Sequence, residues 1–169
     1  MGHLPIFKAA AEALGKTMGG GRHTLIYGGG NIGLMGTVAD ALLQSGGEVI
    51  GVIPEFLLNR EVGHQGLTRL EVVHSMHERK KRMADLADAF LAMAGGWGTL
   101  DELAEILTWK QLGLIQQPVG ILNVNGFFNP LLTQMESMAE HGFLKQEQLE
   151  FLVVDQSPES LLLRLSNLI

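Results

Sequence analysis

Two glycine-rich segments of this sequence have the composition of loops that bind phosphate. The first is residues 28–36, GGGNIGLMG, and the second is residues 95–99, GGWGT. Each comes after a short apolar run and precedes a segment with helical periodicity, so each is predicted to join a strand to a helix. Backbone amides in such loops can approach an anion, and the helix N-terminus adds a favourable partial charge. For the first loop, a tight turn that serves only packing is the alternative.

The glycine spacing argues against two common nucleotide sites. In the first loop three glycines are adjacent, unlike the dinucleotide-binding fingerprint, and neither loop continues into Gly-Lys-Ser/Thr. ATP hydrolysis is therefore not indicated. Two such loops in a chain of 169 residues favour a phosphate-bearing ligand more strongly than either loop does alone.

A cation interrupts the apolar face of the helix predicted over residues 76–87. Arg79 lies three residues after Met76 and four before Met83, so the three side chains share the face that must point to the core. Lys80 lies at the edge of that face. A buried cation is costly unless an anion meets it. Either the guanidinium reaches solvent while its stem packs, or Arg79 binds an anion, which could be a ligand phosphate or the carboxylate of Glu102.

The helix predicted over residues 99–114 begins with Thr99-Leu100-Asp101-Glu102. This pattern fits a capping box, in which Thr99 is the N-cap and Glu102 returns to its backbone amide. The alternative is that Glu102 faces a ligand held by the adjacent loop. Both interpretations stay open at this point.

The same helix is apolar on two sides. Leu103, Leu107 and Leu114 share one side, and Ile106 and Trp109 share another. A helix with two apolar faces is either fully buried or used for association. We favour a homodimer contact through the side that carries Trp109.

Composition excludes several classes of protein. The chain has no cysteine and a formal net charge of −6, so a thiolate metal site, a cysteine nucleophile and general attraction to nucleic acid are not expected. His74 and His77 lack a third ligand at suitable spacing, and no metal or organic cofactor is predicted. Without a signal peptide or a long apolar run, we expect a cytoplasmic protein that does not contact a membrane.

Strand-like and helix-like segments alternate along the whole chain, which predicts an α/β fold. Continuous apolar strands separated by helices imply a parallel sheet covered on both faces, and we expect a single domain over residues 1–169. Ligands of such sheets bind beyond the carboxyl ends of the strands. The predicted strands are 24–27, 49–53, 70–73, 89–93, 119–122 and 151–154, and the predicted helices are 6–18, 32–44, 76–87, 99–114, 130–141 and 158–168.

Three motifs, in order, resemble those of one family. Residues 27–36 (YGGGNIGLMG), 76–80 (MHERK) and 94–102 (AGGWGTLDE) are similar to the signatures of the LONELY GUY (LOG) family, whose members are often labelled possible lysine decarboxylases. Ala94 replaces the proline of the family's Pro-Gly-Gly-x-Gly-Thr-x-x-Glu hallmark. The resemblance implies a Rossmann-like, doubly wound fold. It also implies a homodimer with its active site near the interface, and hydrolysis of the N-glycosidic bond of cytokinin riboside 5′-monophosphates or AMP.

The resemblance also assigns residues. Arg79 and Glu102 match the family's catalytic pair, and Glu61 matches an acidic residue that contacts substrate. The family begins with a strand and a Gly-Ser-Ser loop, and residues 2–7 match the segment after that loop, so the family's first strand is expected to be missing from this sequence. Either the start codon is assigned late or this member has lost the strand. The full set of predicted substrate- and phosphate-binding residues is Gly29, Gly30, Glu61, Lys80, Gly95, Gly96, Trp97, Gly98, Thr99, Leu100 and Asp101.

These residues suggest a division of roles. Glu102 would stabilise the positive charge that grows on the ribose as the bond breaks, and would orient a water. Arg79 would hold the phosphate or assist the departing base. The products would be the free base and ribose 5-phosphate. The alternative is a nucleotide- or cofactor-binding carrier module on the same fold, without turnover.

Overall fold

Strands and helices alternate along the chain in the computed structural model, which describes residues 2–58 and 63–169. The contacts divide the chain into two units, Met1–Ala87 and Asp88–Ile169. Each unit contains one three-stranded sheet in which all neighbouring strands run parallel. The prediction of an α/β fold with parallel strands is confirmed, whereas the prediction of one domain over residues 1–169 stays a prediction.

In the first unit the strand order follows the chain, β1-β2-β3. Ile26 pairs with Ile50, and Val52 pairs with Glu71. The middle strand is buried on both faces, since Val49, Val52 and Ile53 are fully buried. The elements are α1 (Pro5–Gly20), β1 (Leu25–Tyr27), α2 (Leu34–Gln44), β2 (Val49–Pro54), α3 (Glu55–Leu58), β3 (Arg69–Val73) and α4 (Met76–Leu86).

Helices α1 and α2 pack closely because a glycine faces the contact. A methyl group on Gly15 would lie 2.7 Å from Cβ of Ala41, so no larger residue fits there without a shift. Ala11 and Leu14 bury the same side of α1. The small residues hold α2, the helix after the first glycine loop, close against α1.

In the second unit the strand order is β4-β5-β6. Its core is built from Leu103, Val119, Ile121 and Phe128, and Ile106 and Leu107 of α5 are among the partly buried residues that pack against it. The elements are β4 (Phe90–Ala92), α5 (Trp97–Gln111), β5 (Val119–Leu122), a 3₁₀ turn (Val124–Gly126), α6 (Asn129–Glu140), α7 (Gln146–Leu149), β6 (Leu152–Asp155) and α8 (Pro158–Ser166).

The C-terminal end of α5 is held by a lysine. Nζ of Lys110 donates to the carbonyls of Gln116 and Gln117 at 3.0 and 2.9 Å and lies 5.5 Å from the ring centre of Phe151. Burial lowers the pKa of Lys110. A cation at this end of a helix also interacts favourably with its dipole.

Several predicted boundaries are wrong in informative ways. Helix α5 begins at Trp97, two residues before the predicted start, and ends at Gln111, which leaves Leu114 outside it and 67% exposed. The short helices α3 and α7 have no counterpart in the prediction, because four residues are too few to show helical periodicity. Strand β4 is half-buried rather than buried, since it lies at the edge of its sheet. In the part of the chain that the structure describes, no helix is both long enough and apolar enough to cross a bilayer.

Candidate functional site

Helix α4 begins with a side-chain cap that sets the position of Arg79. Oγ of Ser75 accepts a hydrogen bond from the amide of Glu78 at 3.1 Å, and Oε2 of Glu78 accepts one from the amide of His74 at 2.8 Å. This arrangement is close to a capping box, except that Glu78 accepts from the amide of His74 and not from the amide of the N-cap residue, Ser75. Arg79 is the fourth residue of the helix and comes directly after the capped turn.

The structure buries Arg79, as the apolar stripe predicts. Only 6% of the residue is exposed, and Nε has no hydrogen-bond partner among the residues that the structure describes. Nη1 lies 3.8 Å from the weak acceptor Sδ of Met76. The alternative in which the head reaches solvent is therefore wrong. A buried cation with an unpaired donor is a strong candidate for meeting an anion.

The guanidinium of Arg79 lies against the first glycine loop. A methyl group on Gly28 would lie 2.8 Å from Cζ and 3.2 Å from Nε, and closer still to Nη2. Glycine at this position thus leaves the space that the guanidinium occupies. Because Gly28 has no side chain, the guanidinium of Arg79 can be buried against the backbone directly after β1.

Gly29 and Gly30 of the first loop are buried in the first unit. Gly29 has a φ of +76°, a conformation that favours glycine, and its carbonyl accepts a hydrogen bond from the amide of His64 at 3.1 Å. Gly30 forms an isolated antiparallel bridge with Gly63. Helix α2 begins only at Leu34, with Gly33 as its N-cap. Phosphate binding by Gly29 and Gly30 stays a prediction, and the structure gives both of them a role in packing.

The second glycine loop is exposed and opens a long helix. Gly95, Gly96 and Gly98 are exposed, and Gly96 is the N-cap of α5. The first hydrogen bond of the helix runs from the amide of Leu100 to the carbonyl of Gly96 at 3.2 Å. The amides of residues 97–99 come before this bond and have no acceptor within the helix. They form a set of donors at the positive end of a helix dipole, which suits a phosphate.

The capping box predicted for α5 is wrong. Because the helix begins at Trp97, Thr99 is its third residue and Glu102 its sixth, so neither holds a cap position. Thr99 instead packs over Gly95, where an added methyl group would lie 2.9 Å from Cβ of Thr99. Glu102 is half-buried one turn further along the helix. A ligand-facing role for Glu102 stays a prediction.

The remaining predicted residues fall into three groups. Lys80 and Leu100 are half-buried, and Asp101 is exposed. Trp97 is 88% exposed at the first position of α5. Glu61 lies outside the described residues.

The outer face of α4 carries a separate group of charges. Arg82 forms two hydrogen bonds to the carboxylate of Glu71 on β3, at 2.6 and 3.1 Å, and Arg69 lies 3.1 Å from the same carboxylate. The hydrogen bond from Arg82 is the main cause that lowers the pKa of Glu71. The same bond raises the pKa of Arg82. These cations are already paired, whereas Arg79 on the buried face has an unpaired donor.

Two contacts in the first unit, between His64 and Asp40 and between Gly28 and Arg79, have no signal in the sequence. His64 is buried, and its Nε2 lies 3.0 Å from Oδ1 of Asp40 on α2. Residue 64 falls in a segment without periodicity, so no pattern separates it from the other five histidines. Gly28 is recognisable as part of a loop, but its contact with Arg79 joins residues 51 positions apart in the chain. Among the described residues, no group of three His, Asp or Glu side chains could hold a metal ion.

Comparison with known proteins shows the family to which the chain belongs. Residues 35–165 match the family model described as possible lysine decarboxylase. A probable cytokinin riboside 5′-monophosphate phosphoribohydrolase from Oryza sativa subsp. japonica is 42% identical over 164 residues, which cover 97% of this chain and 67% of that protein. A cytokinin riboside 5′-monophosphate phosphoribohydrolase from Rhodococcoides fascians is 50% identical over 135 residues, which cover 79% of this chain and 68% of that protein. The chain thus spans about two thirds of the length of these curated relatives.

Similarity to solved structures identifies the fold of the chain. A molybdenum cofactor carrier protein from Chlamydomonas reinhardtii superposes with a TM-score of 0.71 at 21% identity, covering 95% of this chain and 86% of that one. A molybdenum cofactor binding protein from Rippkaea orientalis gives a TM-score of 0.69 at 20% identity, with 97% and 88% covered. At such identities the likeness concerns the fold alone.

The parallel strands alternating with helices, together with the similar solved structures, define the class of Rossmann-like proteins. Within that class, the chain belongs to the LOG family, whose model carries the description possible lysine decarboxylase.

Proposed function

We propose that this protein hydrolyses the N-glycosidic bond of a purine-type nucleoside 5′-monophosphate, with a cytokinin riboside 5′-monophosphate or AMP as substrate. Water adds its oxygen to C1′ of the ribose while the bond from C1′ to the base nitrogen breaks. One proton of the water goes to the departing base. The products are the free base and ribose 5-phosphate, so the reaction balances without an oxidant, a reductant or a second substrate.

The observation that carries the proposal is the buried guanidinium of Arg79. A cation that is 6% exposed, with Nε unpaired among the described residues, is poorly stabilised in the free protein. A dianionic phosphate or a departing purine with growing negative charge would relieve that cost. We assign Arg79 to one of these two contacts. Its place in the family's Met-His-x-Arg-Lys motif supports the assignment.

The start of α5 supports binding of the phosphate group. The amides of residues 97–99 and the hydroxyl of Thr99 are donors at an exposed helix N-terminus. Lys80, Gly95, Leu100 and Asp101 belong to the same proposed binding set by their position in the family motifs. A substrate held by its phosphate is bound in a fixed orientation, which lowers the entropic part of the barrier.

We assign electrostatic stabilisation of the reacting ribose to Glu102. The transition state carries positive charge on the sugar ring, and a carboxylate near that charge stabilises it more strongly than it stabilises the ground state. Glu102 is half-buried, and the helix start excludes it from capping.

A turnover panel tests the proposal. The protein is incubated with AMP, with an N6-prenylated AMP and with adenosine, and the free base is separated by chromatography while ribose 5-phosphate is measured in parallel. We expect equal amounts of both products from the monophosphates. Adenosine should react at least about a hundredfold more slowly, because it lacks the phosphate that the amides of residues 97–99 are proposed to bind. Comparable rates for adenosine and AMP would remove the phosphate argument.

The same panel decides against the carrier module. A nucleotide carrier would bind AMP in calorimetry and release no adenine above the blank. Measurable binding without turnover would favour that alternative. The rate of the prenylated nucleotide relative to AMP then identifies the preferred base.

Association as a homodimer is a further part of the proposal, together with a cytoplasmic location. On α5, Trp109 is half-buried, and Ile106 packs against the core of its own unit. Of the two apolar residues predicted for the dimer contact, only Trp109 therefore stays assigned to it. Light scattering should give twice the monomer mass, and Trp109→Glu should give the monomer mass with lower turnover. A wild-type protein that scatters as a monomer at micromolar concentration contradicts the dimer.

A further inference from the structure

We propose that His64 is a positioning residue that fixes the first glycine loop against the guanidinium of Arg79. The kinetic part of this inference depends on the proposed function, whereas its structural part concerns the loop alone. His64 lies outside the motifs that define the family resemblance. The inference depends only on contacts within the first unit.

The backbone of His64 is hydrogen-bonded to the loop. Its amide donates to the carbonyl of Gly29 at 3.1 Å, and the preceding residue, Gly63, pairs with Gly30. Residues 63 and 64 therefore run antiparallel to residues 29 and 30 for the length of one bridge. A single bridge is a weak restraint by itself, because the net contribution of one hydrogen bond to stability is small.

The side chain of His64 strengthens this restraint by fixing both sides of the imidazole. The amide of Gly66 donates to Nδ1 at 3.1 Å, so Nδ1 carries no proton. Nε2 therefore carries the proton and donates to Oδ1 of Asp40 at 3.0 Å. Only 8% of His64 is exposed, so water competes little for either bond. In consequence the segment 63–66 is tied to α2 as well as to the loop.

The loop transmits this restraint to the cation. Gly29 comes directly after Gly28, and a methyl group on Gly28 would overlap the guanidinium of Arg79. The loop backbone is thus in contact with the cation that is proposed to meet the substrate. A loop that moves by a few tenths of an ångström changes where the guanidinium can rest. His64 acts on Arg79 through the loop and does not itself touch the substrate.

Three variants separate the contributions of the imidazole. His64→Gln keeps a donor near the position of Nε2 for Asp40, and His64→Asn keeps an acceptor near the position of Nδ1 for Gly66. His64→Ala removes both. Asp40→Ala removes the acceptor from a helix position whose side chain is 55% exposed, so this variant folds even if His64→Ala does not. His141→Ala, at an exposed histidine of the second unit, is the matched control.

Two measurements are made on every variant. Hydrogen exchange followed by mass spectrometry reports the protection of the peptide that contains residues 28–36. Steady-state kinetics with AMP reports kcat and KM separately. The melting temperature is recorded to compare the variants at equal fractions of folded protein.

We expect His64→Ala and Asp40→Ala to increase exchange in residues 28–36 at least tenfold, with little change in the second unit. kcat/KM should fall at least tenfold in His64→Ala. The loss should be divided between kcat and KM as it is in Gly28→Ala, a variant whose added methyl group displaces the guanidinium of Arg79 directly. His64→Gln and His64→Asn should each recover part of the loss, and His141→Ala should match the wild type. Exchange in the loop that stays at the wild-type level overturns the inference, as does an increase spread evenly over both units. If the wild type turns over no nucleotide, the proposed function fails, and the exchange result alone decides the role of His64.

Discussion

Replacing Gly28 by alanine is the sharpest test of the contact between the first glycine loop and Arg79. The φ of Gly28 does not lie in the positive region, so alanine can adopt its backbone conformation. The new methyl group would lie 2.8 Å from Cζ of Arg79. Unstrained carbon–carbon contacts lie at about 3.5–4.0 Å. Since Nη2 lies closer still, the guanidinium must retreat by at least about 1 Å.

Such a displacement has different effects on activity and on stability. A misplacement of about 1 Å in a catalytic arrangement costs about a hundredfold in rate, which corresponds to about 2.7 kcal/mol in the barrier. The clashing atoms belong to the far end of a flexible side chain, so the fold accommodates them at a cost of about 1 kcal/mol. We expect Gly28→Ala to lose about a hundredfold in kcat/KM and to remain folded at room temperature.

The assay is release of adenine from AMP, with urea denaturation in parallel. Gly20→Ala is the matched control, because a methyl group on Gly20, at the end of α1, meets no atom within 4 Å in the described part of the chain. The control should keep wild-type turnover. A Gly28→Ala protein with wild-type kcat/KM would refute the assignment of Arg79 to the reaction.

Three further predictions concern other groups. Glu102→Gln should lose at least about a hundredfold in turnover and melt like the wild type, because the change removes a charge and leaves the helix cap at Gly96 untouched; full activity in this variant contradicts the role of Glu102. Tyr27→Phe should raise the free energy of unfolding by about 1 kcal/mol in urea titrations, because the hydroxyl of Tyr27 is buried with no hydrogen-bond partner among the described residues. Burial, with a smaller contribution from the charge of Asp40, also raises the pKa of Tyr27. A loss of stability in this variant would show that the hydroxyl is hydrogen-bonded. Hydrogen bonds from Ser160 and the amide of residue 157, with a smaller share from Arg164, hold the pKa of Asp155 at about 2 against an ordinary value of 3.8. Since the pKa of the folded state is the lower one, the stabilisation is complete above about pH 5 and is lost as the pH falls through 4 towards 2. Asp155→Asn should therefore cost about 1 kcal/mol at pH 7 and progressively less in urea titrations below pH 4, and a cost that does not depend on pH would contradict the pKa.

The sequence predicts the strands and long helices well because periodicity and glycine-rich turns are local signals. Arg79 is the best example, since its burial follows from the spacing of apolar residues on one helix. The predicted start of α5 is two residues late because Thr99 and Glu102 match a capping pattern. The glycines before Thr99 can adopt helical geometry as well as loop geometry, and the sequence does not say which they adopt. Propensity at a helix end is thus a weaker guide than periodicity within the helix.

The contacts that the sequence could not predict join residues distant in the chain. Gly28 and Arg79 meet because β1 and α4 lie in one unit, and His64 reaches Asp40 through a segment with no periodic pattern. Neither contact leaves a pattern in the residues that lie close to it along the chain. Three-dimensional packing alone determines them, so they appear only when the fold is known.

The exposed tryptophan at the start of α5 gives the protein an internal optical probe. The chain contains two tryptophans, and Trp97 is 88% exposed while Trp109 is half-buried on the same helix. In the free protein the emission of Trp97 should resemble that of indole in water and should be quenched readily by iodide. A ligand held by the amides of residues 97–99 sits beside this indole, so binding should shift the emission to shorter wavelength and reduce quenching. Ligand affinity can then be read in a fluorimeter on the unlabelled protein, and Trp97→Phe identifies the part of the signal that comes from this loop.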